Sequence, residues 1–385
     1  MIHSRQVAQP HPDIELGLPR EPIRFRFALP ATRQENIGVI FYIHGYGGAF
    51  DDDYTNSLLP FLATKYGCAA VAVEYFGAGA YGPCNVEPAD DFVAQVAAIY
   101  KAQVPPDLDV KLMPQWFAWV IKALAAAGNT ALDPRVNVVR KVGGYNSFGL
   151  LPAIDHLEVL LYLRQHLSID SRRLFVIGTS YGGYISLLLA KLAPHTFRMI
   201  VDNSGFTSAA DDMNAVHGWI GAPLHGMMVR GRTPVHWDED PRSARHFSGS
   251  HAALRDLLRE DHLTESALQV YSYHSCQDAM TPVDRKEAMI ALWNKKLAAR
   301  LAVMGPNDVD GRVIKHLGHG MNASMRGLFE RAYGDFVGSG QPIGIETDFD
   351  YRSQRVFACA DKSYAISFDR DRVELAIRPA GNGAW

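Results

Sequence analysis

The residues best placed to do chemistry lie in one short stretch, RLFVIGTSYGGYISLLLAKLA at 173–193. Residues 174–177 are apolar and predict a buried strand, and 184–192 predict an apolar helix. Between them Gly178-Thr179-Ser180-Tyr181-Gly182 turns the chain. A G-x-S-x-G set between a strand and a helix is a nucleophile elbow. The tight turn holds the serine at strained backbone angles, and the small residues two positions either side let strand and helix approach. The five-residue pattern alone arises by chance, so the flanking strand and helix carry the weight.

A serine hydroxyl is a poor nucleophile near neutral pH and needs a base, and the base needs a group to orient it. Two downstream loops supply candidates. Asp278 lies in YHSCQDAMTP after a predicted strand, and His319 lies in Gly318-His319-Gly320 after the last one. The chain order Ser180, Asp278, His319 is one of the three orders known for serine triads. Each candidate has a duller rival. His319 can be a buried structural histidine. Asp202 also ends a strand and competes with Asp278, and Asp284 sits where a helix dipole favours any acid. Asp51-Asp52-Asp53 suggests a metal, but three adjacent acids cannot all face one ion, and a solvated loop is favoured. The histidines at 217, 225, 236, 246 and 251 lack the spacing of a zinc motif, and Cys276 is off the elbow. No cofactor or metal is expected.

These groups need a scaffold. Residues 1–22 are rich in proline and polar side chains and predict a loosely ordered lead-in. Residues 23–29 alternate as an exposed edge strand, and 37–43 (IGVIFYI) read as a strand buried on both faces. That strand ends in His44-Gly45-Tyr46-Gly47-Gly48. A helix at 57–66 and a strand at 69–75 complete a βαβ unit, which implies a parallel sheet. Residues 77–150 read as a helical insertion, with helices at 89–104 and 115–127, and 152–167 as the crossover helix into the elbow strand. After a short strand at 199–201, residues 206–265 read as a cap with one helix near 252–260. A strand at 267–273, a helix at 282–300, a last strand at 312–315 and a helix at 324–337 follow. Residues 340–385 read as a small antiparallel extension, with a hairpin and a third strand at 355–359. The fold class is α/β, a mostly parallel central sheet flanked by helices.

Bulk properties narrow the function classes. At 385 residues and 48% apolar content the chain can bury a large core. A net charge of −3 with dispersed lysines and arginines gives no electrostatic support for nucleic-acid or membrane binding. The first residues lack the apolar core of a signal peptide. Cys68, Cys84, Cys276 and Cys359 show no framework spacing, so four free thiols in the cytoplasm are expected.

The elbow, the His44–Gly48 loop, the Asp278…Pro282 loop and Gly318-His319-Gly320 together resemble the α/β-hydrolase superfamily over residues 23–337. The likeness is to the branch of small-ester hydrolases and prolyl-oligopeptidase-like catalytic domains. A weaker one, carried by the elbow strand and Val201-Asp202-Asn203-Ser204, is to a bacterial subfamily associated with flagellin glycosylation. The resemblance implies Ser180 as nucleophile, His319 as general base and then acid, and Asp278 as its orienter. It also implies an oxyanion hole from the backbone N–H of Tyr181 and that of Tyr46, with Gly47 as the alternative donor. The implied function is hydrolysis of a carboxylic ester through an acyl-enzyme, on a small-molecule ester or peptide.

Three alternatives stand beside it. In a peptidase, Asp238-Glu239-Asp240 would grip an amino terminus, though residues 1–22 are too few for the β-propeller of the prolyl-oligopeptidase-like enzymes. An acyltransferase would differ only in its acceptor. A binding protein on a disabled scaffold is the weakest, because no triad position is lost. Trp219, Met227, Met228, Trp237 and Phe247 are available to line an apolar pocket or to pack the cap. The extension is open to edge protection or to a contact in a homo-oligomer.

Overall fold

The computed structural model describes residues 2–31, 35–78, 85–86, 93–94, 96–98, 101–109, 113–126, 136–139, 145–224, 227–233 and 235–379. It divides into two compact units. The first is Met1–Phe76, Ser147–Asp212 and Ser248–Trp385; the second is Gly77–Asn146 and Met213–Phe247.

The first unit is built on an eight-stranded sheet. Its order is Ile2–Val7, Ile23–Ala28, Cys68–Val73, Ile37–Ile43, Ile169–Thr179, Met199–Asn203, Gln269–Ser275, Ala298–Met304. The first two pairings, Ile2–Val7 with Ile23–Ala28 and Ile23–Ala28 with Cys68–Val73, are antiparallel, and the remaining pairs run parallel. Every residue of Ile37–Ile43, Cys68–Val73, Met199–Asn203 and Gln269–Ser275 is buried. Helices cover both faces of central parallel strands, so their sequences run apolar without alternation. Ile40, Tyr42, Phe175, Ile177, Met199 and Val201 form a core with helices Asp53–Tyr66 and Met325–Gly338. On the opposite face Phe41 meets His156 of helix Leu150–His166, edge to face. This sheet, its parallel order and the elbow it carries make the first unit an α/β-hydrolase fold.

Local chemistry explains several boundaries. The Asp52 carboxylate accepts from the Thr55 N–H at 2.7 Å and caps helix Asp53–Tyr66, which ends at Gly67 in the left-handed region. The acidic run at 51–53 therefore starts a helix.

Three expectations are corrected. Residues 2–7 are not a loose lead-in: they form an edge strand paired in register with Ile23–Ala28. The helix predicted at 282–300 stops at Trp293, and Ala298–Met304 is the strand at the sheet's other edge. Ala, Arg, Leu and Met favour helix, but pairing with Gln269–Ser275 overrides that preference, and at an edge the burial is only partial. Residues 312–315 are not a strand. There the Asp310 carboxylate gathers the N–H groups of Arg312, Val313 and Ile314 within 3.0 Å.

Residues 354–379 form a three-stranded antiparallel sheet, Gln354–Ala358, Lys362–Asp369 and Arg372–Pro379. It is tied to the N-terminal segment by the Leu375 N–H donating to His11 Nε2 at 2.9 Å and the Tyr364 hydroxyl donating to Glu15.

The second unit is not purely helical. Helix Met113–Ala126 accompanies a four-stranded sheet ordered Asn85–Val86, Val136–Val139, Met227–Arg232, Trp219–Leu224. Of the helix predicted at 89–104, residues 93–94 and 96–98 are helical and 101–104 are not, and the rest lie outside the described residues, as do Cys84 and His225.

Candidate active site

The parallel strands end at one level. Register pairs Ile43 with Gly178, Gly178 with Asp202, Thr179 with Asn203, and Asn203 with Tyr273. The residues that follow these pairs, His44, Ser180, Ser204 and His274, therefore emerge together at the carboxyl edge, where open α/β sheets place their sites.

Ser180 has φ 55° and ψ −122°, a conformation that costs a non-glycine residue energy. Its N–H donates to the Asn203 carbonyl at 2.7 Å, and its carbonyl accepts from Tyr184 N–H at 3.0 Å in the first turn of helix Tyr181–Leu192. The flanking glycines are required sterically. A Cβ on Gly178 would fall 2.1 Å from the Gly182 carbonyl oxygen, and one on Gly182 would fall 2.1 Å from that of Ile43. Both obstacles are backbone and cannot rotate away.

Ser180 Oγ lies 2.7 Å from His319 Nε2, and His319 Nδ1 lies 2.9 Å and 3.1 Å from the two Asp278 oxygens. The Asp278 side chain is fully buried, while that of His319 is 20% exposed, so the imidazole is reachable and the carboxylate is not. Asp278 Oδ1 also accepts from the Met280 and Thr281 N–H groups at 3.0 Å, and Oδ2 from the Thr281 hydroxyl at 2.9 Å. Burial works against ionisation here. The bonds from His319 and Thr281, with the attraction of the imidazole, outweigh it and hold this carboxyl well below its usual range. Nδ1–H thus faces a fixed acceptor, and the Nε2 lone pair faces Ser180.

The competing acids are occupied elsewhere. Asp202 accepts from Lys286 Nζ at 2.7 Å, the Ser272 hydroxyl at 2.5 Å and the Gly205 N–H at 2.9 Å, with both members of the ion pair fully buried. Asp284 is exposed in the first turn of helix Val283–Trp293. Asp238 accepts from the Ser243 hydroxyl, and Asp240 holds Arg242 at 2.7 Å. Cys276 is exposed on the loop beside the acid.

The glycine loop passes against the serine. A Cβ on Gly45 would sit 3.0 Å from Ser180 Cβ and 3.6 Å from its Oγ. Gly45 to Gly48 form a turn closed by the Gly48 N–H on the Gly45 carbonyl at 3.2 Å, with Gly47 at φ 79°. The Tyr46 ring stacks on that of Tyr181 at 4.2 Å, so the two predicted donor residues are held to each other. The Tyr181 N–H belongs to the first turn of its helix. The Tyr181 hydroxyl is buried and accepts from the Gly149 N–H at 2.7 Å. His44 serves the loop: Nδ1 lies 3.0 Å from the Gly45 carbonyl, and burial lowers its pKa.

Sequence reasoning missed Thr281, His274 and Gly45 as individual contributors. Asp278 closes an Asx turn on the Met280 N–H two residues on, and a threonine one position further, at 281, is a usable signal because its N–H and hydroxyl reach the same carboxylate. His274 Nε2 lies 2.5 Å from the Thr281 carbonyl and 3.8 Å from Asp278 Oδ2, packed behind the acid, and no local pattern marks it. Of the apolar residues proposed for a pocket, Trp237 and Phe247 are buried against each other at 5.4 Å in the second unit. The side chains of Trp219, Met227 and Met228 lie outside the described residues. Among the described residues no group of three His, Cys, Asp or Glu could hold a metal ion, and no helix is long and apolar enough to cross a membrane.

Among solved structures, the chain is similar to Est1E from Butyrivibrio proteoclasticus, solved with ferulic acid bound. Identity is 11% over 82% of this chain and 95% of that chain, with a TM-score of 0.46. It is also similar to a Pyrococcus horikoshii acylaminoacyl peptidase, at 14% identity over 90% of this chain and 42% of that one, TM-score 0.45. A Mycobacterium tuberculosis puromycin-hydrolyzing peptidase matches at 14% identity over 90% and 40%, TM-score 0.45. The chain spans less than half the length of these two peptidases. A search of curated proteins found no match. The family model described as "Protein of unknown function (DUF2920)" matches residues 7–377, and the chain belongs to that family.

Proposed function

We propose that this protein is a serine hydrolase that cleaves a carboxylic ester through an acyl-enzyme. The observation that carries the reading is the unbroken hydrogen-bonded line from Ser180 Oγ through the His319 ring to the buried Asp278. Serine needs a base within about 3 Å, and that base needs its other nitrogen fixed; this line meets both conditions.

In the first half-reaction Ser180 Oγ attacks the ester carbonyl carbon while its proton passes to His319 Nε2. The imidazolium so formed is stabilised by Asp278. The C–O bond to the alcohol then breaks, and the Nε2 proton goes to the leaving oxygen. In the second half, water gives its proton to Nε2 and its oxygen to the acyl carbon, and Ser180 leaves with that proton. The oxyanion is assigned to the N–H of Tyr181 with that of Tyr46, Gly47 being the alternative; losing one such donor typically costs about 10²–10³ in turnover. The stacking of Tyr46 on Tyr181 and the closeness of Gly45 to Ser180 support this pairing.

The test is labelling of folded protein with a fluorophosphonate probe, alongside turnover of p-nitrophenyl acetate. The expected result is a single adduct on Ser180, absent from Ser180→Ala and from denatured protein, and ester turnover abolished by the same substitution. No adduct on the folded protein would refute the reading. Adding methanol or glycerol to the assay and resolving acid from new ester separates hydrolysis from acyl transfer.

A further inference from the structure

Asn203 follows the buried acid Asp202 at the end of strand Met199–Asn203 and is itself 1% exposed. Its backbone carbonyl takes the N–H of Ser180 at 2.7 Å. Its side-chain Nδ2 donates to Thr179 Oγ1 at 3.1 Å and to the Gly320 carbonyl at 3.0 Å, with Met325 Sδ at 3.8 Å. The amide orientation is dictated by Gly320, whose carbonyl can only accept. One residue thus holds the residue before the serine, the serine itself and the residue after His319.

The histidine loop needs such a tie. Gly320, Met321 and Asn322 have φ of 68°, 55° and 41°, three consecutive residues in the left-handed region, two of them carrying side chains that disfavour it. The loop also stands fourteen residues beyond Ala298–Met304, and the central sheet holds it through side chains, the Ser275 hydroxyl donating to the Leu317 carbonyl at its start and Asn203 to the Gly320 carbonyl after His319. Its internal bonds, Met321 N–H to Gly318 carbonyl and Ala323 N–H to Gly320 carbonyl, shape the turn without attaching it to Ser180.

We infer that Asn203 is a positioning residue that sets the Ser180–His319 distance by clamping the Gly320 carbonyl to the elbow strand. The inference rests on the hydrolase reading above. An imidazole displaced by about 1 Å from its attack geometry can cost on the order of 100-fold in rate.

The experiment compares Asn203→Ala and the shape-matched Asn203→Asp, which keeps the volume and loses both donors. Measurements are kcat and KM for p-nitrophenyl acetate, the rate of fluorophosphonate labelling at Ser180, and thermal melting. The expected result is a fall of about 10- to 100-fold in kcat and in labelling rate for both folded variants, with KM within about threefold. A merely structural asparagine would lower the melting temperature and leave kcat of the folded protein unchanged. Either folded variant within threefold of wild-type kcat overturns the clamp. If neither variant folds, Asn203 belongs to the fold and the clamp is likewise overturned. An unlabelled wild-type protein overturns the hydrolase reading instead, and that control is read first.

Discussion

Replacing Asp278 by asparagine leaves the shape of the site intact and inverts its logic. Asp278 Oδ1 accepts two backbone N–H groups, from Met280 and Thr281, both at 3.0 Å, whereas Oδ2 faces the rotatable Thr281 hydroxyl and His319 Nδ1, each at 2.9 Å. In Asp278→Asn the amide oxygen must stay at the Oδ1 position, because an NH2 there would confront two donors that have no other acceptor. The NH2 group then points at His319 Nδ1, which must present a lone pair. The proton moves to Nε2, so the imidazole aims an N–H at Ser180 Oγ and can no longer take its proton. The same tautomer inversion in a serine protease costs about 10⁴ in turnover, which is ~5 kcal/mol of barrier. The assay is p-nitrophenyl acetate hydrolysis beside fluorophosphonate labelling, with circular dichroism to show that the variant is folded. A drop of about 10⁴ is expected in turnover, with labelling slowed in step. A folded variant within tenfold of wild type would sink the assignment of Asp278 as the orienting acid.

Two further predictions concern the frame that holds the site. Glu15 and Arg255 form an ion pair at 2.5 Å with both side chains fully buried, and Glu15→Ala strips Arg255 of its counter-charge; a loss of about 3–5 kcal/mol in urea unfolding is expected, and a loss below about 1 kcal/mol would contradict it. His156 is fully buried, and burial lowers its pKa from 6.5 to about 4. As pH falls through that window the unfolded chain takes up a proton that the folded one refuses, so stability declines with acidification and levels off below it. At about 1.4 kcal/mol for each unit, the decline attributable to His156 is roughly 3 kcal/mol in total. Urea unfolding at several pH values should show His156→Gln flattening that slope, and equal slopes would refute the assignment.

Local information was enough for the elbow. Strand, turn and helix at Ile169–Thr179, Ser180 and Tyr181–Leu192 are encoded within about 25 residues, and the glycines that permit the turn are visible as letters. The same holds for the Gly45–Gly48 turn, the histidine flanked by glycines, and the hairpin of Lys362–Asp369 with Arg372–Pro379. Each is specified by residues a few positions apart, where backbone sterics and side-chain period decide the outcome.

Distance in sequence defeated the rest. The strand Ala298–Met304 reads as helix until Gln269–Ser275 is beside it, and residues 2–7 read as a tail until Ile23–Ala28 pairs with them. The choice between Asp202 and Asp278 is invisible to pattern, since each stands at or just beyond the carboxyl end of a buried parallel strand. The two acids part company only when Lys286, more than eighty residues away, arrives to neutralise Asp202, while Thr281 and the His319 ring converge on Asp278. Asn203 carries the same lesson: nothing adjacent to it in the chain shows that its amide will span from Thr179 to Gly320. Ser180, His319 and their flanking glycines are thus marked out locally. Which acid lies beside His319, and how far that ring stands from Ser180, depends on long-range contacts that exist only once the parallel sheet has assembled.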